Sequence, residues 1–104
     1  MNDSAISPDV LANAIQDQDE FQLIDIRDDV SYAQGTITNA LHVVTPDIAQ
    51  ASSNWDKSKW VVVLDDGRGK AREIVRQLRT AGFRLSVYLK GGYPAWMSTM
   101  AAGK

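Results

Sequence analysis

Five consecutive apolar residues, Trp60, Val61, Val62, Val63 and Leu64, predict a strand covered on both faces, the pattern of a parallel sheet. Immediately downstream the apolar positions change period to Ala71, Ile74, Val75 and Leu78, which is the spacing of one helix face. Gly82 then supplies a left-handed end for that helix. Between strand and helix, residues 65–70 must reverse the chain, and Gly67 and Gly69 allow backbone angles that other residues resist. A strand that runs into a helix N-terminus through such a loop gathers unpaired amides and the positive end of the helix dipole, which suits an anion. Yet the loop, Asp65, Asp66, Gly67, Arg68, Gly69 and Lys70, opens with two carboxylates that oppose that use.

The remaining pattern repeats this alternation. Residues 1–6 read as a loose N-terminal arm, and Ser7 followed by Pro8 marks a helix start, with Val10, Leu11, Ala14 and Ile15 on its apolar face. Residues 21–26 read as a strand interrupted by Asp25, residues 27–34 as a helix of one to two turns stopped by Gly35, and residues 41–44 as a brief strand. Pro46 and Asp47 open a short helix that runs through Ala51. A polar loop carrying Trp55 then leads to the central strand. After Gly82, residues 85–89 form another strand, Gly91 and Gly92 turn the chain, and residues 93–100 close it as a helix. The expected fold is a single α/β domain over residues 1–104, with a mainly parallel central sheet flanked by helices on both faces. Ligand sites in such sheets lie beyond the C-terminal ends of the strands, where residues 65–70 fall.

Composition narrows the function classes. The chain has 104 residues, 44% apolar and 23% charged, with a formal charge of −2, so it offers no global attraction for nucleic acid or an acidic membrane. The basic residues between Arg68 and Arg79 read as a solvated helix face. The chain has no cysteine, which excludes disulfides, thiolate metal sites and cysteine nucleophiles. Residues 1–10 have neither a basic start nor an apolar core of signal-peptide type, and a cytoplasmic setting is the default expectation. No cofactor and no metal are expected.

Three segments together resemble the single-domain rhodanese (thiosulfate sulfurtransferase) family. The first is LIDIRDDVSYAQGTITNAL, with Asp25, Arg27, Tyr32, Gly35, Ile37 and Ala40 at signature positions and Thr36 where the family usually has His. The second is WVVVLDD with the helix after it, and the third is KGGYPAW, similar to the family's closing Gly-Gly-x-x-x-Trp. The resemblance implies a rhodanese-like fold. The family's chemistry takes a sulfane sulfur onto a loop cysteine as a persulfide and passes it to a thiophilic acceptor. Ungapped alignment through the helix end puts Asp65 at the cysteine position and Lys70 at the closing Arg position. A carboxylate cannot carry sulfur as a persulfide.

The leading expectation is therefore a catalytically silent member that acts as a binding or regulatory module, with residues 65–70 as its recognition surface and a protein as its partner. In this reading Asp65 folds into its own loop and accepts hydrogen bonds from the amides of residues 67–70. Two enzyme readings compete: sulfur transfer aided by a partner's cysteine, and a metal-assisted phosphatase using Asp65 and Asp66. The sequence LDDG resembles the Asp-x-Asp-Gly strand end of haloacid dehalogenase-type phosphatases, with the acids adjacent instead of spaced. Asp25 with Arg27 reads as a structural ion pair. His42, the single histidine, reads as a strand-end or surface residue. Of Trp55, Trp60 and Trp96, Trp55 is the expected exposed one, able to anchor a partner beside the loop.

Overall fold

The computed structural model describes residues 4–102. It contains five strands, β1 (Ala5–Ile6), β2 (Phe21–Asp25), β3 (Leu41–His42), β4 (Trp60–Leu64) and β5 (Ser86–Leu89). The helices are α1 (Pro8–Gln16), α2 (Asp29–Gln34), α3 (Ile48–Ala51), α4 (Lys70–Thr80) and α5 (Gly92–Ala102), and 3-10 turns flank α3. The strands form one sheet in the order β1-β5-β4-β2-β3, and every pairing is parallel. Among the described residues no helix is long and apolar enough to cross a membrane.

The apolar run makes β4 the middle strand because both of its faces have to be covered. Val61 and Val63 face a core shared with Ile74, Val75 and Leu78 of α4 and Ile48 of α3. Val62 and Leu64 face the opposite core, with Leu11 of α1 and, at its margin, Trp96 of α5. Helices thus cover both faces of the sheet, as the alternation predicts. Each fully buried Val, Leu or Ile contributes roughly 1.5–3 kcal/mol through water exclusion.

The helix ends obey the sequence signals. The Ser7 hydroxyl accepts from the Val10 amide at 3.2 Å, with Pro8 at the first helical position. At the end of α4 the Gly82 amide donates to Arg79 and the Phe83 amide to Leu78, a Schellman closure with Gly82 at φ +104°. Asp28 caps α2 through the Ser31 amide at 2.8 Å, and this bond holds the Asp28 carboxyl below its usual pKa range.

Two expectations need correction. Residues 5 and 6 are no loose arm: Ala5 pairs with Tyr88 and Ile6 with Leu89, so they form the edge strand β1, while residues 1–3 of that arm lie outside the described residues. The Tyr88 amide donates to the Ser4 carbonyl and the Lys90 amide to the Ile6 carbonyl, both at 2.8 Å. Trp55 is half-buried, edge-on to Phe83 at 6.2 Å, and it lies near the N-terminal ends of β2 and β4, away from the 65–70 loop. The exposed tryptophan is Trp60, 47% accessible, because the first residue of β4 projects beyond the helices that cover the rest of the strand.

Candidate functional site

Strand β4 delivers Asp65 to the C-terminal edge of the sheet, and the loop turns it inward until only 4% of the residue is accessible. Its Oδ1 accepts from the Gly67 amide at 2.8 Å, and its Oδ2 accepts from the Ala71 amide in the first turn of α4 at 2.9 Å. The carboxylate therefore sits where the helix dipole is positive and the amides lack intrahelical partners. Asp66 is left outside. Its Oδ1 accepts from the Arg68 amide at 3.0 Å, and its Oδ2 lies 3.8 Å from Arg68 Nε. The self-bonded loop expected from the sequence is present, with Gly67 and Ala71 as the donors to Asp65, while the Arg68 amide serves Asp66.

The turn between β5 and α5 closes over this loop. The Tyr93 amide donates to the Asp65 carbonyl at 2.8 Å. A Cβ on Gly92 would stand 2.3 Å from the Gly67 nitrogen and 2.6 Å from Asp65 Oδ1, and one on Gly67 would stand 2.8 Å from the Gly91 carbonyl oxygen. The backbones approach too closely for side chains at Gly67 and Gly92. The two glycine-bearing motifs, distant in sequence, build one structure.

Outside the bonded carboxylate lies a cleft of about 490 Å³, lined by Asp65, Gly67, Arg68, Gly69, Arg72, Tyr88, Leu89, Lys90 and Gly91. Lys70, the last residue of the sequence-predicted loop, is the first residue of α4 and is exposed rather than part of this lining. Arg72 lies over the Tyr88 ring, its guanidinium carbon 5.5 Å from the ring centroid. Three cations thus border a space whose acidic lining residue is already hydrogen-bonded to its own loop. Reasoning from the sequence found Arg68 but missed Arg72, Tyr88 and Lys90 as neighbours. Arg72 stands in the first turn of α4, directly after the loop that carries Arg68, and only the adjacency of β5 to β4 brings Lys90 to them. The solvated-face reading holds for Arg76, which pairs with Glu73 at the surface, whereas Arg79 donates to the Ser86 carbonyl at 2.8 Å and ties α4 to the start of β5.

A second carboxylate lies at the end of the neighbouring strand. Asp25 is fully buried and bonded to the Arg27 guanidinium, with Nη2 to Oδ2 at 2.7 Å and Nε to Oδ1 at 3.0 Å. The Arg27 amide and the Thr36 hydroxyl donate to the same carboxylate at 2.9 and 2.7 Å. Burial alone would raise the Asp25 pKa, but the Arg27 side chain, the Arg27 amide and the Thr36 hydroxyl together leave it below the usual range. Arg27 also donates to the Gly35 carbonyl and lies over the Tyr93 ring at 4.1 Å. Asp25 and Arg27 thus form the structural pair expected from the sequence. Thr36, at the position where the resemblance puts His, closes the network. His42 sits at the end of β3, stacked on Tyr32 at 4.3 Å, and its Nε2 donates to the Arg27 carbonyl at 2.7 Å.

The family model for the rhodanese-like domain matches residues 7–99. The chain is 32% identical over 91 residues to the protein YtwF of Bacillus subtilis (strain 168), covering 88% of this chain and 87% of that protein. It is 31% identical over 74 residues to the thiosulfate sulfurtransferase GlpE of Coxiella burnetii, covering 71% of this chain and 69% of that one. Among solved structures, the Alr3790 protein from Anabaena sp. superimposes with a TM-score of 0.83 at 31% identity, over 90% of this chain and 77% of that one. A parallel five-stranded sheet covered on both faces, a loop between β4 and α4 closed by the Gly91-Gly92 turn, and these matches together establish that the chain belongs to the rhodanese-like domain family.

Proposed function

We propose that this rhodanese-like domain is a binding or regulatory module, and that the basic cleft beside the 65–70 loop takes an acidic segment of a protein partner. The observation that carries this reading is the Asp65 side chain, a carboxylate bonded to the Gly67 and Ala71 amides at the position where the family resemblance places a cysteine. Sulfur transfer through a protein persulfide requires a thiolate, and this chain has no cysteine to provide one. Arg68, Arg72 and Lys90 retain their positive charges around the cleft and favour a carboxylate-bearing ligand by electrostatic complementarity. A cytoplasmic setting belongs to the same reading.

The test is an amide NMR titration of the domain with hexaglutamate, magnesium, sulfate and thiosulfate in turn. Hexaglutamate is expected to give saturable shifts at Arg68, Arg72 and Lys90 that weaken as salt is added, with the Gly67 and Ala71 amides unmoved. Saturable magnesium shifts at Asp65 and Asp66 would favour the phosphatase reading instead. Thiosulfate shifts at Gly67 and Ala71 would favour sulfur transfer with a partner's cysteine.

A further inference from the structure

At the opposite end of the sheet, where the strands begin, the surface has a different chemistry. Helix α1 leaves part of the sheet uncovered, and a groove of about 330 Å³ runs between Val10 and Ala14 on one side and Phe21, Trp60 and Val62 on the other. Its walls are almost wholly apolar side chains, yet Val10 is 53% and Trp60 47% accessible. Asp19 and Glu20 form the polar end of the groove. The same two residues also line a second hollow of about 390 Å³ on the other face of the sheet, together with Trp55, Asp56 and Lys59. Lys59 bonds to Glu20 at 2.6 Å, so this cation is already engaged, and among the described residues neither Asp19 nor Asp56 has an ion-pair partner.

An apolar groove with an exposed tryptophan and an acidic rim is complementary to one kind of occupant. We infer that this end of the domain docks a basic amphipathic segment of another protein. One large aliphatic or aromatic side chain of that segment fills the groove beside Trp60, and an Arg or Lys next to it meets Asp19. Tryptophan is among the residues enriched at the energetic anchors of interfaces, and the carboxylates select the sign of the partner. A basic cleft at one end and an acidic groove at the other give the domain two sites that discriminate partners by charge.

The experiment is an NMR titration of the full chain with a fourteen-residue amphipathic Leu/Lys peptide and with its Leu/Glu counterpart. The Leu/Lys peptide is expected to shift Val10, Asp19, Phe21 and the Trp60 indole N–H saturably, and the Leu/Glu peptide to leave them in place. Trp60→Ala should weaken the Leu/Lys affinity by roughly thirtyfold, and Asp19→Lys by about tenfold. Both positions are exposed, and an unchanged amide spectrum elsewhere verifies each variant's fold. Equal binding of the two peptides, absence of saturable shifts in the groove, or concentration-dependent groove shifts without any peptide would overturn the proposal. The last outcome would identify the occupant as a second copy of the chain.

Discussion

Asp25 and Asp65 stand at the ends of neighbouring strands, since Asp25 pairs in register with Leu64, and both are removed from solvent. Their partners differ. Asp25 faces a guanidinium, a hydroxyl and one amide, whereas Asp65 is held by two peptide amides at a helix N-terminus. A buried carboxyl group can thus be satisfied either by a full opposite charge or by aligned dipoles. The first solution ties together β2, Thr36 and the Gly35 carbonyl. The second joins the loop to the first turn of α4 through backbone amides, so a different residue at position 65 would meet the same amides.

The largest effect that separates the two is expected from Arg27→Met. It leaves a fully buried carboxylate without its cation and removes the stacking on Tyr93, and a loss of about 3–5 kcal/mol should appear in urea unfolding. Asp65→Ala is the matched change in the other loop. It should cost about 1.5–3 kcal/mol, because two amides lose a charged acceptor. The freed amides should then bind sulfate, seen as a rise in melting temperature that the parent does not show. A variant as stable as the parent and indifferent to sulfate would mean that the Asp65 bonds carry no weight.

Asp65→Cys sharpens the same contrast. A thiolate at that position faces the Gly67 and Ala71 amides and the dipole of α4, conditions that favour its ionised form. The variant should acquire thiosulfate-dependent sulfur transfer through a persulfide of its own, which a chain without cysteine cannot form: the thiolate attacks the outer sulfur, the S–S bond breaks, sulfite leaves, and the persulfide donates its sulfur to a thiophilic acceptor. If no persulfide forms on Cys-substituted protein by mass spectrometry, the loop has lost more than its nucleophile.

The smallest effect is expected from Thr36→Val, which removes one donor to Asp25 and should cost about 1 kcal/mol. Its pH dependence has a definite sign. The Asp25 pKa is lower in the folded protein than in the unfolded chain, so its stabilisation is fully present above the ordinary carboxylate value and disappears as pH falls through the lowered one. With Thr36 gone the folded value moves up towards the ordinary carboxylate range. Acid unfolding, followed by circular dichroism below about pH 4, should then begin at a higher pH than in the parent.

The sequence made legible what is local. The period change after Leu64, the Ser7 and Pro8 start and the Gly82 end each report a choice made by a few adjacent residues, and all appear where they were expected. Residues 65–70 were legible as a tight turn because two glycines between a strand and a helix leave the chain few ways to reverse. What the sequence hid is set by strand order. Lys90 and Tyr88 reach the cleft only because β5 lies beside β4, and no spacing encodes that neighbour. Two residues, Ala5 and Ile6, are too few to show a period, so an edge strand read as an arm. Trp55 and Trp60 exchanged their expected exposures because Phe83, remote in sequence, packs against the first, while the second begins a strand at the uncovered end of the sheet.

The pairing of Ala5 with Tyr88 and of Ile6 with Leu89 bears on the order in which the protein is made. Of the five strands β1 is synthesised before the others, but the backbone groups it must satisfy belong to β5, the last of the five. Until then the central strands β2 and β4 can pair with each other, while the edge that will receive β5 stays open. Closure across such a long stretch of chain is slow compared with forming α1 or α4. The β1 segment therefore stays without its sheet partner until β5 is complete.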